Sequence, residues 1–347
     1  MTRWWIALVA LVMLAAACGG GSEPSEGAES SPSTAAPTST TPAASSTTAA
    51  PPTSAPLPDR PPTIDQLTAG TEPLNIAHAG GDQAFPHSTQ YAFAQAVEAG
   101  VDVLEMDVQL TADGVLIVQH DDTVDRRTET TGRVDSYTFD EINALDGAYW
   151  FAPGQWPRRD LDESAYVFRG VRTGDTPAPD GFEADDFAIA SFRDIAERFP
   201  TMPFDIEIKG SFAEPPDVVA VLAEELRATD RLDSTVVTSF DDELIDEFSQ
   251  LAPEVATSPG LAELTSWVLA GEPLNPRHPI VQIPPEFQGQ QVLTPELLVL
   301  AEEAGVAVWI WPSDAATQEN AGFYQELLDM GIEGIIAGDP VALAGIL

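Results

Sequence analysis

Two short apolar segments carry five carboxylates and the only lysine of the chain. Val101–Val108 reads Val-Asp-Val-Leu-Glu-Met-Asp-Val. In a strand, residues two apart project to one side, so Glu105 and Asp107 point together, near enough for one cation to bridge them. Side by side they repel unless a cation or a proton neutralises them. A solvated strand edge also explains a Glu-x-Asp pair, but the flanking Val, Leu and Met have the character of buried residues. Pro203–Gly210 reads Pro-Phe-Asp-Ile-Glu-Ile-Lys-Gly. The same period puts Asp205, Glu207 and Lys209 on one face, with Phe204, Ile206 and Ile208 on the other. An ammonium in an apolar strand needs a partner or a task. Beside metal-bound carboxylates it could hold an anionic group such as phosphate.

Two histidines end strand-like runs. His78 closes Asn-Ile-Ala-His before Ala-Gly-Gly, and His120 closes Val-Leu-Ile-Val-Gln-His before Asp-Asp. Singly, each reads as a polar strand cap. Together with the carboxylates they fall at the C-terminal ends of separate strands, where barrel enzymes place their chemistry. A carboxylate-bound cation would stabilise charge on phosphate oxygens, one imidazole would take a proton and the other would protonate the leaving oxygen. His87 and His278 sit in loop-like, Pro-rich contexts and read as bland.

The elements that must position these groups follow from periodicity. Strand-like runs fall at 75–78, 101–108, 115–120, 204–208, 235–239, 255–258, 280–283, 306–311 and 334–337. Segments of helical period lie between many of them, at 88–99, 192–199, 217–228, 242–251, 295–304 and 321–330. That alternation predicts parallel β/α units. Asp113-Gly114 predicts a hairpin between the second and third runs. A Pro-, Gly-, Arg- and acid-rich stretch at about 150–190 reads as an inserted loop-rich segment on one face, not a second domain. Residues 64–347 have the length of one (β/α)8 TIM barrel, an α/β fold.

Composition limits the partners. The 347 residues hold 56 Asp and Glu against 15 Lys and Arg, a formal charge of −41. Nucleic acid and anionic membrane surfaces are disfavoured partners, since both need clustered basic residues. One cysteine excludes an intrachain disulfide, and any metal should be hard and oxygen-loving, such as Mg or Ca. Residues 1–18, MTRWWIALVALVMLAAAC, read as a signal peptide ending in a lipobox-like Cys18 that becomes a lipidated N-terminus. Residues 19–63 form a disordered linker: the 26 residues Ser31–Pro56 are all Ser, Thr, Ala or Pro and have little to bury. The expected setting is extracytoplasmic, with the protein secreted or held at the cell membrane by an N-terminal lipid anchor.

The stretch IAHAGG…P…T…AF…A…GVDVLEMDVQLTADGVLIVQHDDTVDRRTETTGRV resembles the glycerophosphodiester phosphodiesterases, whose pattern has an initial His-Arg-Gly, a Glu-x-Asp strand, a Thr-x-Asp-Gly turn and a His-Asp end. The likeness continues at Ile206-Glu-Ile-Lys209, Ser239-Phe-Asp241, Val308-Trp309 and Gly331–Ile336, and spans residues 74–340. The resemblance implies a TIM-barrel phosphodiesterase that needs a divalent cation. It implies His78 and His120 as the acid/base pair, Glu105, Asp107 and Glu207 as metal ligands, and Lys209 as a phosphate contact. It further implies attack by the substrate's own neighbouring hydroxyl, giving a cyclic phosphate that water then opens. The substrate would be a small glycerophosphodiester or a related phospholipid-derived headgroup ester. Alternatives are a lipid phosphodiesterase resembling lysophospholipase D or sphingomyelinase D, or a non-catalytic cell-surface binding protein on the same barrel.

Four departures stand out. The Arg after the first His is Ala79, Pro-Glu-Asn-Thr is Pro86-His-Ser-Thr89, the late Thr-Asp pair is Ala337-Gly338, and the Asn after the Trp strand is Pro312. A lost charge-assisted phosphate contact costs on the order of 1.5–3 kcal/mol. Arg169 or Arg172 of the insertion is expected to supply the missing guanidinium.

Overall fold

The computed structural model describes residues 60–155, 158–209 and 218–347. The signal-like segment, Cys18 and residues 19–59 of the linker lie outside them. Eleven strands are present among the described residues: β1 Leu74–Ala77, β2 Val103–Leu110, β3 Leu116–Val118, β4 Phe204–Ile208, β5 Thr235–Thr238, β6 Ala256–Thr257, β7 Ile280–Ile283, β8 Glu286–Phe287, β9 Gln290–Gln291, β10 Ala307–Ile310 and β11 Gly334–Ala337. Eight of these are parallel and neighbour one another in the order β6-β5-β4-β2-β1-β11-β10-β7. This is a nearly closed parallel barrel with helices outside, the predicted TIM-barrel class.

The seam between β6 and β7 carries no strand ladder. It is bridged by Thr257 N–H donating to Arg277 O at 3.3 Å and by buried His278. Its Nδ1 lies 2.9 Å from Thr257 Oγ1 and 3.0 Å from Thr257 O, and its Nε2 lies 3.2 Å from Glu263. His278 is therefore a staple of the barrel wall.

Burial follows the strand period. All eight residues of β2 are buried, as expected for a parallel strand with barrel interior on one side and helices on the other. Leu104, Met106 and Val108 pack outward with Phe204, Ile206 and Ile208 against helices that include Phe93, Ile195 and Leu222. Ile76, Val103, Val236, Ile280, Trp309 and Ile336 fill the barrel's apolar interior, and Ile64 of the helix Ile64–Thr68 joins them. The hairpin is as predicted, with β3 antiparallel to β2 and Gly114 at φ 79°.

The structure adds elements that periodicity does not signal. Helix Leu261–Ala270 has Gly260 at its N-cap with no capping side chain, and buries only Trp267 fully. Its start therefore leaves no mark in the sequence. The insertion holds short 3₁₀ turns, Glu163–Ala165 and Ala184–Phe187. It packs onto the barrel through Tyr91, whose ring lies 4.7–4.9 Å from those of Phe168, Phe182 and Phe187.

Candidate active site

Parallel pairing of β2 with β4 sets Glu105 opposite Asp205 and Asp107 opposite Glu207. Two Glu/Asp rows thus lie across neighbouring strands on the barrel's inner face, in the orientation the two-residue period requires. Lys209, just past β4, places Nζ 2.9 Å from Asp107 Oδ1 and 2.9 Å from Glu207 Oε2. Gln282 of β7 reaches across the barrel and donates from Nε2 to Asp205 Oδ1 at 2.8 Å.

His78 opens a turn in which Ala79, Gly80 and Gly81 all have positive φ, at 46°, 83° and 98°. A left-handed alanine is strained by about 1 kcal/mol or more. The Ala79 N–H donates to Glu105 Oε2 at 2.6 Å, a charge-assisted bond that ties the strained turn to the carboxylate row. A Cβ on Gly80 would press on Ala92 and Phe93, and one on Gly81 on Pro340. The glycines therefore let the turn sit between two helices. His78 Nδ1 lies 3.5 Å from Asp82 Oδ2, four residues on. His120 Nδ1 lies 2.7 Å from Asp121 Oδ1, and Arg126 Nη2 donates to the same oxygen at 2.7 Å. With Nδ1–H assigned to Asp121, His120 Nε2 is the acceptor nitrogen.

These groups line one cavity of about 600 Å³, whose polar floor includes His78, Glu105, His120, Glu207 and Lys209. The lining also has an apolar part, which includes Phe240, Leu261, Leu264, Phe287, Val292 and Trp311. Phe240 is 50% exposed and meets Trp311 edge-on at 6.1 Å. Predicted polar residues from four separate stretches of sequence thus come together. Asp107 stands behind the floor, fully buried, and contacts the cavity through Lys209.

The electrostatics are those of crowded buried anions. Burial, and then the neighbouring Asp107, push Glu105 well above the ordinary carboxylate range. Burial also raises Glu207 in spite of Lys209, and burial takes Asp205 up to about 7. Burial opposes ionisation of Asp107 too, but Lys209 and His120 outweigh it and hold its carboxyl low. Burial pulls His78 down, but Asp82, Glu105 and Asp107 prevail and raise it well above its usual value. One ammonium faces this set, and the buried oxygens Asp107 Oδ2 and Asp205 Oδ2 have no hydrogen-bond partner. Such a donor set fits a hard divalent cation. Among the described residues no three His, Cys, Asp or Glu side chains stand around one point as a ligand cluster. Lys209 Nζ lies between two of the predicted ligands instead.

The expected arginine substitution is corrected. Arg169 is boxed by the rings of Tyr149, Trp150 and Tyr166 at 4.3, 4.6 and 4.0 Å and donates to Tyr149 O. Arg172 donates to Asn143 O and pairs with Asp185. Neither lines the cavity. The aromatic content of the insertion captures its own cation. The guanidinium beside the site belongs to Arg126, six residues after His120. Sequence reasoning also passed over Asp82, Glu319 and Gln282, which lie outside its strand-end motifs. His87 is buried and stays neutral, because burial and the nearby Arg127 pull it well below its usual value.

Comparison with known proteins places these features in context. Residues 78–342 match the family described as the glycerophosphoryl diester phosphodiesterase family. A glycerophosphodiester phosphodiesterase of Caldanaerobacter subterraneus subsp. tengcongensis is 28% identical over 278 residues, covering 79% of this chain and 97% of that protein. Human glycerophosphodiester phosphodiesterase 1 is 42% identical over 73 residues, 21% of this chain and 22% of that protein. Among solved structures, an Agrobacterium tumefaciens glycerophosphodiester phosphodiesterase superposes with a TM-score of 0.57 at 22% identity, covering 79% of this chain and all of that one. An Oleispira antarctica phosphodiesterase in complex with the product sn-glycerol-3-phosphate superposes at 0.58 and 18% identity, covering 80% and 98%. At these identities the two superpositions establish the shared fold.

Proposed function

The chain belongs to the glycerophosphoryl diester phosphodiesterase family and is a phosphodiesterase; from that premise we propose that it hydrolyses glycerophosphodiesters at the floor of this cavity by histidine acid/base catalysis. The observation that carries the reading is the meeting of His78, His120, Glu105, Glu207 and Lys209 at one cavity floor, with Asp107 directly behind Lys209.

His120 Nε2 takes the proton from the substrate's own hydroxyl as that oxygen bonds to phosphorus. His78, protonated among its carboxylates, gives its proton to the leaving oxygen as the phosphorus–oxygen bond breaks. The products are an alcohol and a cyclic phosphate. Water then opens the ring with the roles reversed: His78 accepts the water proton and His120 returns its own to the ring oxygen. Glu105, Asp107 and Glu207 would hold a divalent cation, Mg or Ca, which supplies positive charge for the phosphate oxygens when bound. Lys209 supplies a second positive centre at the floor, and Glu105 holds the His78 turn through the Ala79 N–H.

The apolar wall favours a second reading within the same chemistry. A diester carrying a hydrocarbon tail, such as a lysophospholipid, would rest it against Phe240, Leu264 and Trp311. We further propose an extracytoplasmic, lipid-anchored setting through Cys18, on the character of residues 1–18 alone.

The test is release of choline from glycerophosphocholine and from lysophosphatidylcholine by the full chain, with Mg, with Ca and with chelator. Turnover of the first, lost in chelator, is expected. Turnover of the lysolipid alone moves the assignment to the second reading. Turnover of neither with any cation overturns both.

A further inference from the structure

One half-buried carboxylate beside the site has no role in the chemistry above. Glu319 follows the short helix Ala315–Gln318 and lines the cavity with His78 and Asp82. Its Oε2 accepts from the Gly338 N–H at 2.8 Å, from the Asp339 N–H at 3.3 Å and from the Tyr324 hydroxyl. Three donors fix one oxygen of this side chain against the end of β11.

Glu319 also faces Asp82, which is 7% exposed. Its Oδ2 faces His78 Nδ1, while its Oδ1 is buried with no hydrogen-bond partner. Gly338 shows why the two acids approach. A Cβ there would overlap Asp82 Oδ1 and lie 2.9 Å from both Glu319 Cδ and Gln83 Cγ. Both carboxylates therefore close on the space that a side chain at 338 would need. Gly338 also accepts the Gln83 N–H at 2.9 Å, so the backbone holds the Asp82 turn onto the end of β11.

We propose that Glu319 is a positioning residue for His78, acting through Asp82, and that Gly338 is the small residue that admits this contact. The inference rests on the proposed role of His78. Two acids flanking one water-poor space cannot both ionise cheaply, but one proton between them turns repulsion into a hydrogen bond. The Glu319 carboxyl supplies that proton, donating to Asp82 Oδ1. Asp82 then stays ionised and fixed, with Oδ2 set to accept from His78 Nδ1–H, which orients the imidazole and leaves Nε2 to exchange protons with substrate. The groups facing Glu319 are Asp82, His78, Tyr324 and Asp339. Burial and Asp82 push the Glu319 carboxyl up to about 7, in keeping with a retained proton.

The test uses the full chain with Mg. E319Q keeps an acceptor for the Gly338 and Asp339 N–H groups and gains an N–H for Asp82, so it imitates the protonated acid. E319A removes both, and G338A drives a methyl between the acids. The readouts are kcat and KM on glycerophosphocholine and the His78 ring ¹⁵N shifts at pH 6. E319Q should keep kcat within about threefold and leave the His78 shifts in place. E319A and G338A should lower kcat by about 10–100-fold, as when a partner that orients a functional histidine is removed. KM should stay within about twofold, and the His78 shifts should move. Equal damage from E319Q and E319A, or His78 shifts unmoved by E319A, overturns the proposal. An inactive wild type in which E319A and G338A, but not E319Q, move the His78 shifts would retire the glycerophosphodiester hydrolysis proposed above and keep the positioning role.

Discussion

Replacing Lys209 by methionine tests the charge balance of the floor. The ammonium contacts Asp107 and Glu207 at 2.9 Å each, with a side chain 18% exposed. Methionine keeps the bulk and removes the charge, leaving buried Asp107 and half-buried Glu207 uncompensated. Removing one partner of a buried pair costs about 3–5 kcal/mol. At roughly 2–3 °C per kcal/mol for a domain of this size, the melting temperature in chelator should fall by about 6–15 °C. A divalent cation on the proposed ligands Glu105, Asp107 and Glu207 would neutralise the same oxygens. With saturating Mg or Ca, K209M should therefore lose less than about 2 kcal/mol, and cation addition should raise its Tm more than it raises that of the wild type. Scanning calorimetry of both proteins, with EDTA and with cation, reads this difference. Equal losses under the two conditions would refute the idea that lysine and cation answer to one set of carboxylates. A loss of under 1 kcal/mol in chelator would refute the buried ion pairs themselves.

Three further outcomes follow from the same geometry. Asp205 holds its proton in the folded state up to about 7, mainly through burial. The unfolded chain releases it near the ordinary aspartate value, so this group costs stability as pH rises through that window. D205N should then add about 2–4 kcal/mol above pH 7.5 in chelator and nothing below pH 4, measured by urea denaturation across pH. H278A, which opens the β6–β7 seam, should cost about 1–3 kcal/mol by denaturation while leaving kcat unchanged, because His278 does not line the cavity. Adding Mg should lower the midpoint of a His78 ring NMR titration, since a cation at the proposed site would screen Glu105 and Asp107, which with Asp82 hold the imidazole protonated. An unmoved midpoint would show that the cation binds elsewhere.

Much of the site was legible because strand period is local. Glu105 and Asp107, or Asp205, Glu207 and Lys209, share a face whatever the rest of the chain does. The match of Glu105 to Asp205 across β2 and β4 was not legible, since it depends on strand register set by barrel closure. The same holds for the Gln282–Asp205 bond across the interior and for His278, whose seam exists only once β6 meets β7. The apolar wall was hidden because Phe240, Leu264, Phe287 and Trp311 come from separate loops, each unexceptional alone. The insertion misled for a physical reason: its arginines looked available for phosphate, but Tyr149, Trp150 and Tyr166 form a nearer partner for Arg169. Glu319 gave no signal, because it follows a short helix and meets Asp82 only through the space left by Gly338.

The central claim is proton transfer by His78 and His120, and single-substitution kinetics test it most directly. With glycerophosphocholine and saturating Mg, H78A and H120A should each lower kcat by about 10²–10⁴-fold with folding and KM little changed. The double variant should fall little below the weaker single one, because the two groups act as a unit. Turnover that survives either substitution at near the wild-type rate would contradict the account.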